Sequence, residues 1–496
     1  MSKIVLITIL SLMFRTLLFA QDIQCYHADP KARYREHQVD FKSAKISISF
    51  QPKQSKVIRE VEYIFQPKRL HLDTLFLDAP GIQIQKVLLN ESEQAFSLQP
   101  DGVVITFNKN LNWDSTYRLH ITYDCIPAKG LYFIGWNDPK HLMREQIWTQ
   151  GQGVDNRYWI PGFDDVADKL ITETVITFDS AYEVVSNGNL ENIRINKDGT
   201  KTWYYKMDHP HVLYLVMIAI GKYGSITKRS ASGVPIKQYY YSDRYDCVEP
   251  TYRYSELMMD WQEEELGVKF PWKTYANVPV QEFLYGAMEN TTATIFTDYY
   301  YQDNRGFLDR SYVGVNCHEQ THQWFGDMIT ELSATHHWLH ESFATHYAKH
   351  FRRYVFGEDE FNWIRREEMR SAWSSDELND IPIAHSQGGS SRHYAKGSLV
   401  IDMLRYVLGE QEFRRAVTYY LKKHAYQSVD SNDFYRAFFE CLGVNLDWFF
   451  QEWVYRGAYP KYVVEKTEVG DTVLIQVKQT QTQTSTVSTF KMPIVS

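Results

Sequence analysis

The chain has few cysteines, no basic run and, beyond its first twenty residues, no long apolar stretch. Each lack excludes a class of function. Its five cysteines, Cys25, Cys125, Cys247, Cys317 and Cys441, show neither metal-type spacing nor the density of a disulfide framework. Their odd number leaves at least one free or paired between chains. Cys317 reads as a packed thiol rather than a ligand. A net charge of −8, without any stripe of Lys and Arg, argues against nucleic acid as a partner. No internal segment is long and apolar enough to cross a bilayer, and no internal repeat is visible.

What is present begins with the first twenty residues. Lys3 opens them, Ile4 to Phe14 are apolar, Arg15 interrupts, and Leu17-Leu18-Phe19-Ala20 follows. This reads as a signal peptide over residues 1–20, cleaved after Ala20, with an uncleaved anchor as the alternative. Cys25 lacks the small residues that precede a lipid-anchored cysteine. The mature chain is therefore expected outside the cytoplasm: periplasmic, secreted or surface-associated.

At 496 residues the chain exceeds one typical core, so a multidomain protein is expected. From Gln38 to Tyr123 apolar and polar residues alternate with period two, as in Lys45-Ile46-Ser47-Ile48-Ser49-Phe50, and Asp101-Gly102 marks a turn. That pattern predicts an antiparallel β domain with one solvated face. Strand-like runs continue to Tyr241 and include Val212 to Ile218, giving an N-terminal β domain over residues 21–242. Helical spacing starts at Tyr254, Leu257, Met258 and Trp261 and stops at Gly267. Strand-like Val278 to Phe283 follows, and the chain is then mostly helical to about Tyr455. An α/β-then-α domain is placed at 243–456. Gly457 to Pro460 breaks the pattern. Val463 to Lys478 and Phe490 to Ser496 alternate again, as strands over 457–496.

The most informative motif is His318-Glu319-Gln320-Thr321-His322, with Glu341 nineteen positions after its second histidine. On a helix, residues four apart share a face. His318 and His322 can thus aim two imidazoles at one metal ion, and Glu341 offers a third ligand from a following helix. Two nitrogens and a carboxylate leave one tetrahedral position open, the pattern of catalytic rather than structural zinc. One Zn2+ per chain is expected. Glu319 lies between the histidines as the candidate general base. The ligand histidines must be neutral at the coordinating nitrogen, so activity should fall in acid.

With these residues in view the chain resembles the M1 family of zinc aminopeptidases. HEQTHQWFGD followed by WLHESFA carries the metal part of the resemblance. Gly286-Ala287-Met288-Glu289-Asn290 matches the family's exopeptidase motif, Tyr394-Ala395-Lys396-Gly397 its catalytic-tyrosine segment, and Thr149-Gln150-Gly151-Gln152 its N-terminal-domain strand. The resemblance implies a saddle-shaped β domain, a thermolysin-like catalytic domain and the start of a small β-sandwich. It implies that Glu289 and Gln152 hold the free amine of a peptide substrate. It further implies that Gly286, Ala287 and Met288 pair with substrate backbone and that Tyr394 stabilises the oxyanion. Four positions depart from the family pattern: His340 replaces an Asn, Ser342 replaces a Gly, and Thr291-Thr292 replaces Trp-Gly. The nearby histidines His336, His337, His340, His346 and His350 are expected mainly on the surface or in packing, with hydrogen bonds behind the metal ligands or a spare metal contact as the alternative. Two readings stand beside an aminopeptidase: another zinc hydrolase (endopeptidase or lipid-epoxide hydrolase), and a binding module without turnover.

Overall fold

The structure is a computed structural model and describes residues 28–481, 487 and 489–493. The expected signal peptide, Cys25, and the last part of the expected strand Phe490–Ser496 lie outside the described residues. Cys125, Cys247, Cys317 and Cys441 are free thiols. Among the described residues no helix is long and apolar enough to cross a membrane.

The N-terminal part is built on strand Val39–Gln51, whose neighbours are Lys56–Pro67 on one side and Lys169–Asp179 on the other. A bulge between Phe41 and Ser43 moves the buried set from odd to even positions, so Val39 and Phe41 face the core with Ala44, Ile46 and Ile48. The sheet is not wholly antiparallel, as the alternation had suggested. Ser43 to Ser49 pair in parallel with Ile171 to Thr177. Alternation reveals a two-faced strand but not the direction of its neighbour, because both ladders share the period of two.

A second sheet sets Gln146–Thr149 between Leu131–Ile134 and Ile218–Gly221. The apolar run Val212 to Ile218 is not one strand. It bends through a turn at Leu213–Leu215 before re-entering the sheet at Ile218. The bend is stabilised by Asn156, whose Nδ2 donates to the carbonyls of Leu213 and Val216 at 2.8 Å each. Buried carbonyls that a strand would pair are satisfied by one amide instead.

Strands Tyr223–Arg229 and Pro235–Tyr241 were expected in the N-terminal domain. They instead lead a five-stranded sheet that continues through Tyr275–Val280 and Ala293–Thr297 to an edge at Ala287–Met288. The sheet that carries the site thus starts near residue 223, about twenty residues before the composition changes. Helix Ser255–Leu266 ends at Gly267, which takes φ +62° as a left-handed cap. Helix Ser431–Leu442 is capped by Asp430 and Asp433, which exchange hydrogen bonds across the first turn. Past the break at 457–460, Tyr462–Val469 and Thr472–Gln479 form a two-stranded hairpin. Phe490 joins no strand; it packs on Trp453 with ring centroids 4.6 Å apart.

Candidate active site and metal centre

Helix Val313–His322 carries the HExxH residues. It stops because the chain turns at Gly326, at φ +136°, bringing the Phe325 carbonyl back to 2.9 Å from His322 Nδ1. The back of the helix is held by Gln262, which donates to Thr321 Oγ1 at 2.7 Å and to the Cys317 carbonyl at 3.2 Å. Cys317 is buried among apolar side chains, as its reading as a packed thiol requires, and burial pushes its pKa up.

Helix Trp338–Phe356 packs against this helix and delivers Glu341. His318 Nε2 lies 3.1 Å from Glu341 Oε2 and 3.0 Å from His322 Nε2, and His322 Nε2 lies 3.3 Å from the same oxygen. A tetrahedral centre with bonds of about 2.0–2.1 Å has edges of about 3.3–3.4 Å, close to this triangle. The outer contact agrees. The Phe325 carbonyl can only accept, so it places the His322 proton on Nδ1 and leaves Nε2 free to ligate. The donor set therefore fits a zinc ion, to be held by His318, His322 and Glu341.

Around this triangle lies a cleft of about 450 Å³ lined by Gln152, Gly286, Ala287, Glu289, Glu319 and Tyr394, among others. Five chain segments converge here. Gln152 follows strand Gln146–Thr149 through Gly151, where a Cβ would fall 2.2 Å from the Tyr214 carbonyl oxygen. Only glycine permits that approach. Glu289 follows the edge pair Ala287–Met288; the Met288 side chain points into the core and does not line the cleft. Tyr394 sits in a wide π-helical turn, Ser391–Lys396, its ring parallel to His318 at 5.6 Å. Arg392 and Lys396 flank it and both reach buried Asp376, at 3.3 and 2.5 Å, which anchors the turn. Ser342, at a departure from the family pattern, donates to the His393 carbonyl at 2.5 Å, joining the Glu341 helix to this turn.

The electrostatics separate the carboxylates. Glu289 is buried, and its Oε1 has no hydrogen-bond partner among the described residues. Burial raises its pKa, His322 opposes the rise and Glu341 adds to it. Glu319 is raised well above the usual carboxylate range by burial and by Glu289. Glu341 is held well below that range: burial opposes its charge, but His322, His318 and His337 outweigh burial. Burial pushes His322 down, yet the surrounding carboxylates lift it to about 10. Burial and Glu341 keep Tyr394 a neutral phenol, able to donate.

Four residues have roles that escaped the sequence reading. Gln323, next to the motif, donates to the Glu289 carbonyl at 3.1 Å and accepts the Thr292 N–H at 2.9 Å. It ties the metal helix to the Glu289 strand. Thr292 is held at φ +65°, a conformation costly for a β-branched residue, and its hydroxyl accepts the Gly188 N–H at 2.7 Å. His337 and Glu331 stand behind Glu341, so His337 is neither a surface nor a packing residue as expected. His337 Nε2 lies 3.3 Å from Glu341 Oε1. Gln323 was signalled by its place beside the motif, Thr292 by its departure from the family pattern and His337 by its place near the motif; nothing local marked Glu331.

Residues 36–215 match the Peptidase M1 N-terminal domain, and residues 251–453 match the Peptidase family M1 domain. The leucyl aminopeptidase of Saccharolobus solfataricus is 26% identical over 78% of this chain and 50% of its own length. The puromycin-sensitive aminopeptidase of Caenorhabditis elegans is 26% identical over 71% of this chain and 39% of its own. The glutamyl aminopeptidase of Bos taurus is 23% identical over 63% of this chain and 34% of its own. The chain thus spans about half or less of the length of these relatives. With both domain matches in order and together spanning most of the sequence, this chain belongs to peptidase family M1.

Proposed function

We propose that this chain is a zinc-dependent aminopeptidase that hydrolyses the N-terminal peptide bond of peptides outside the cytoplasm. The observation that carries the reading is Glu289: a buried carboxylate with an unpartnered oxygen, in the same cleft as a three-ligand cluster. A buried charge without a partner is costly, and a substrate α-ammonium is the partner that would satisfy it. Gln152, from the other domain, would accept a hydrogen bond from the same ammonium. The edge at Ala287–Met288 terminates its sheet and would take extended substrate backbone by strand addition, with Gly286 allowing close approach.

Zinc, when bound by His318, His322 and Glu341, would supply Lewis acidity toward the scissile carbonyl and lower the pKa of water. Glu319, its pKa raised, would take the water proton and pass it to the departing amine. Tyr394 would donate its hydroxyl to the oxyanion that develops on the scissile carbonyl. We read the N-terminal part as the family's β saddle and the five-stranded sheet with its helices as the thermolysin-like catalytic domain. Residues 1–20 support export, with a signal peptide cleaved after Ala20.

The test is hydrolysis of aminoacyl chromophores with free and N-acetylated amines, with chelator and with added zinc. The reading expects zinc-dependent cleavage of the free-amine set alone, and a loss of that preference in Glu289→Gln. Cleavage of both sets would point to an endopeptidase-like hydrolase. A folded, zinc-loaded protein that cleaves neither would favour a binding module or a non-peptide substrate.

A further inference from the structure

We propose that His337, held by Glu331, is a positioning residue that fixes which oxygen of Glu341 faces the metal position. The inference rests on the reading of His318, His322 and Glu341 as metal ligands. The two oxygens of Glu341 have different neighbours. Oε2 lies 3.1 Å from His318 Nε2 and 3.3 Å from His322 Nε2. Oε1 lies 3.3 Å from His337 Nε2. The opposite nitrogen of the same ring, Nδ1, is 2.9 Å from Glu331 Oε2. One imidazole thus stands between two carboxylates, hydrogen-bonded to Glu331 through Nδ1 and in ion-pair contact with Glu341 through Nε2.

The far end of this chain is fixed. Glu331 is buried in the short strand Thr330–Glu331, which pairs with Ser428–Val429. Its backbone N–H donates to His340 Nε2 at 2.6 Å. His340, one of the departures from the family pattern, is thus used to pin Glu331 rather than to reach the metal. His337 itself forms part of the wall of a neighbouring cavity of about 920 Å³, which shares Gln152 and Tyr394 with the cleft.

The consequence concerns denticity. A carboxylate free to rotate can offer both oxygens to one ion and occupy the position that water or substrate needs. The His337 contact on Oε1 opposes that rotation and leaves Oε2 as the single ligand. A second ion on Glu331, His337 and His340 is the competing use of the same side chains, since their ligand atoms also converge. The contacts favour protons. His340 Nε2 already accepts a backbone N–H, and its Nδ1 is 3.9 Å from Glu331 Oε2.

The experiment loads the full chain with cobalt(II). It compares metal affinity by chelator competition, the visible absorption of the bound cobalt, and the melting of the metal-free protein. Wild type is expected to take one equivalent with the intense absorption of a four-coordinate site. His337→Leu should bind about 10–100-fold more weakly, with absorption weakened toward that of five-coordination and metal-free melting unchanged. His337→Gln, which keeps one donor for Oε1, should recover part of both. Glu331→Gln should shift both in the same direction by less, and carries the test if His337→Leu does not fold. Affinity within about twofold of wild type together with an unchanged spectrum would overturn the proposal. So would two equivalents in wild type that fall to one in His337→Leu, which would assign the cluster to a second ion. A wild type that takes no cobalt would sink the underlying metal reading, and this inference with it.

Discussion

Two clusters on helix Trp338–Phe356 invite comparison. At one end Glu341 meets His318 and His322, a His-x3-His pair on the neighbouring helix. Further along, His346 and His350 form a second His-x3-His pair, and Asp402 faces both from helix Gly397–Leu408. His346 Nδ1 and His350 Nε2 lie 2.9 and 3.0 Å from Asp402 Oδ1, nearly as tight as the first triangle. By residue type and spacing the two are close to interchangeable. Their outer contacts are opposite. Behind His322 stands a carbonyl that accepts its second proton. Behind His346 stands the Arg405 guanidinium, 3.4 Å from Nε2, which can only donate. Asp402 already holds a cation, the Lys349 ammonium at 2.7 Å from Oδ2. Three convergent donors do not make a metal site unless the groups behind them leave the lone pairs free and the charge unspent.

The charge states follow the same division. Burial opposes the charge of Asp402, but Lys349, His346 and His350 hold it well below the carboxylate range. It is a satisfied structural anion. Glu319 is displaced upward by burial and by Glu289, and Glu289 by burial and by Glu341. Those are the displacements that acid–base work and ammonium binding use.

The sharpest way to break the comparison is to remove one histidine from each cluster. His322→Ala should lose the bound zinc and all zinc-dependent hydrolysis, while His350→Ala keeps one equivalent and its turnover; metal analysis of the purified variants decides. Glu319→Gln should keep the metal and lose about 10²–10⁴-fold in kcat. A zinc-loaded mutant with near-normal turnover would remove Glu319 from the chemistry. Asp402→Ala should cost stability instead, about 3 kcal/mol for stranding buried Lys349, with zinc content and kcat unchanged. Denaturant melts beside kinetics separate the two effects.

A smaller effect sharpens the account of how the N-terminal segment is joined to the catalytic part. Asp29 accepts hydrogen bonds from Thr335 Oγ1 at 2.6 Å and from the Ser386 N–H and hydroxyl at 2.8 and 2.5 Å. Burial opposes its charge, but these donors lower its pKa to about 2. A depressed carboxylate contributes stability that is complete above its unfolded value, near 3.8, and is lost as pH falls through about 2. Asp29→Ala should therefore melt below wild type at pH 6, and the two curves should merge near pH 2. Equal melting at pH 6 would remove the latch.

Much of the site was legible because its chemistry is local. HExxH places two candidate ligands and a candidate base by helical geometry alone, and WLHESFA supplies the candidate third ligand at a fixed distance. Glu289, Gln152 and Tyr394 were reachable only through the family resemblance, since a single Glu, Gln or Tyr carries no signal of its own. What stayed hidden was tertiary. His337 acquires its role from Glu331, six residues earlier, and strands Tyr223–Arg229 and Pro235–Tyr241 acquire their sheet from Tyr275–Val280. The bend at Leu213–Leu215 depends on an Asn156 amide more than fifty residues away. The hydrophobic pattern records which face is buried; it does not record the partner.

The central claim is that the metal position lies in one cluster and not the other. Anomalous diffraction above the zinc edge, from crystals grown with zinc, tests it most directly. The account predicts one peak, bonded by His318 Nε2, His322 Nε2 and Glu341 Oε2, and none among His346, His350 and Asp402. A peak at the second cluster, or none at the first, would contradict it.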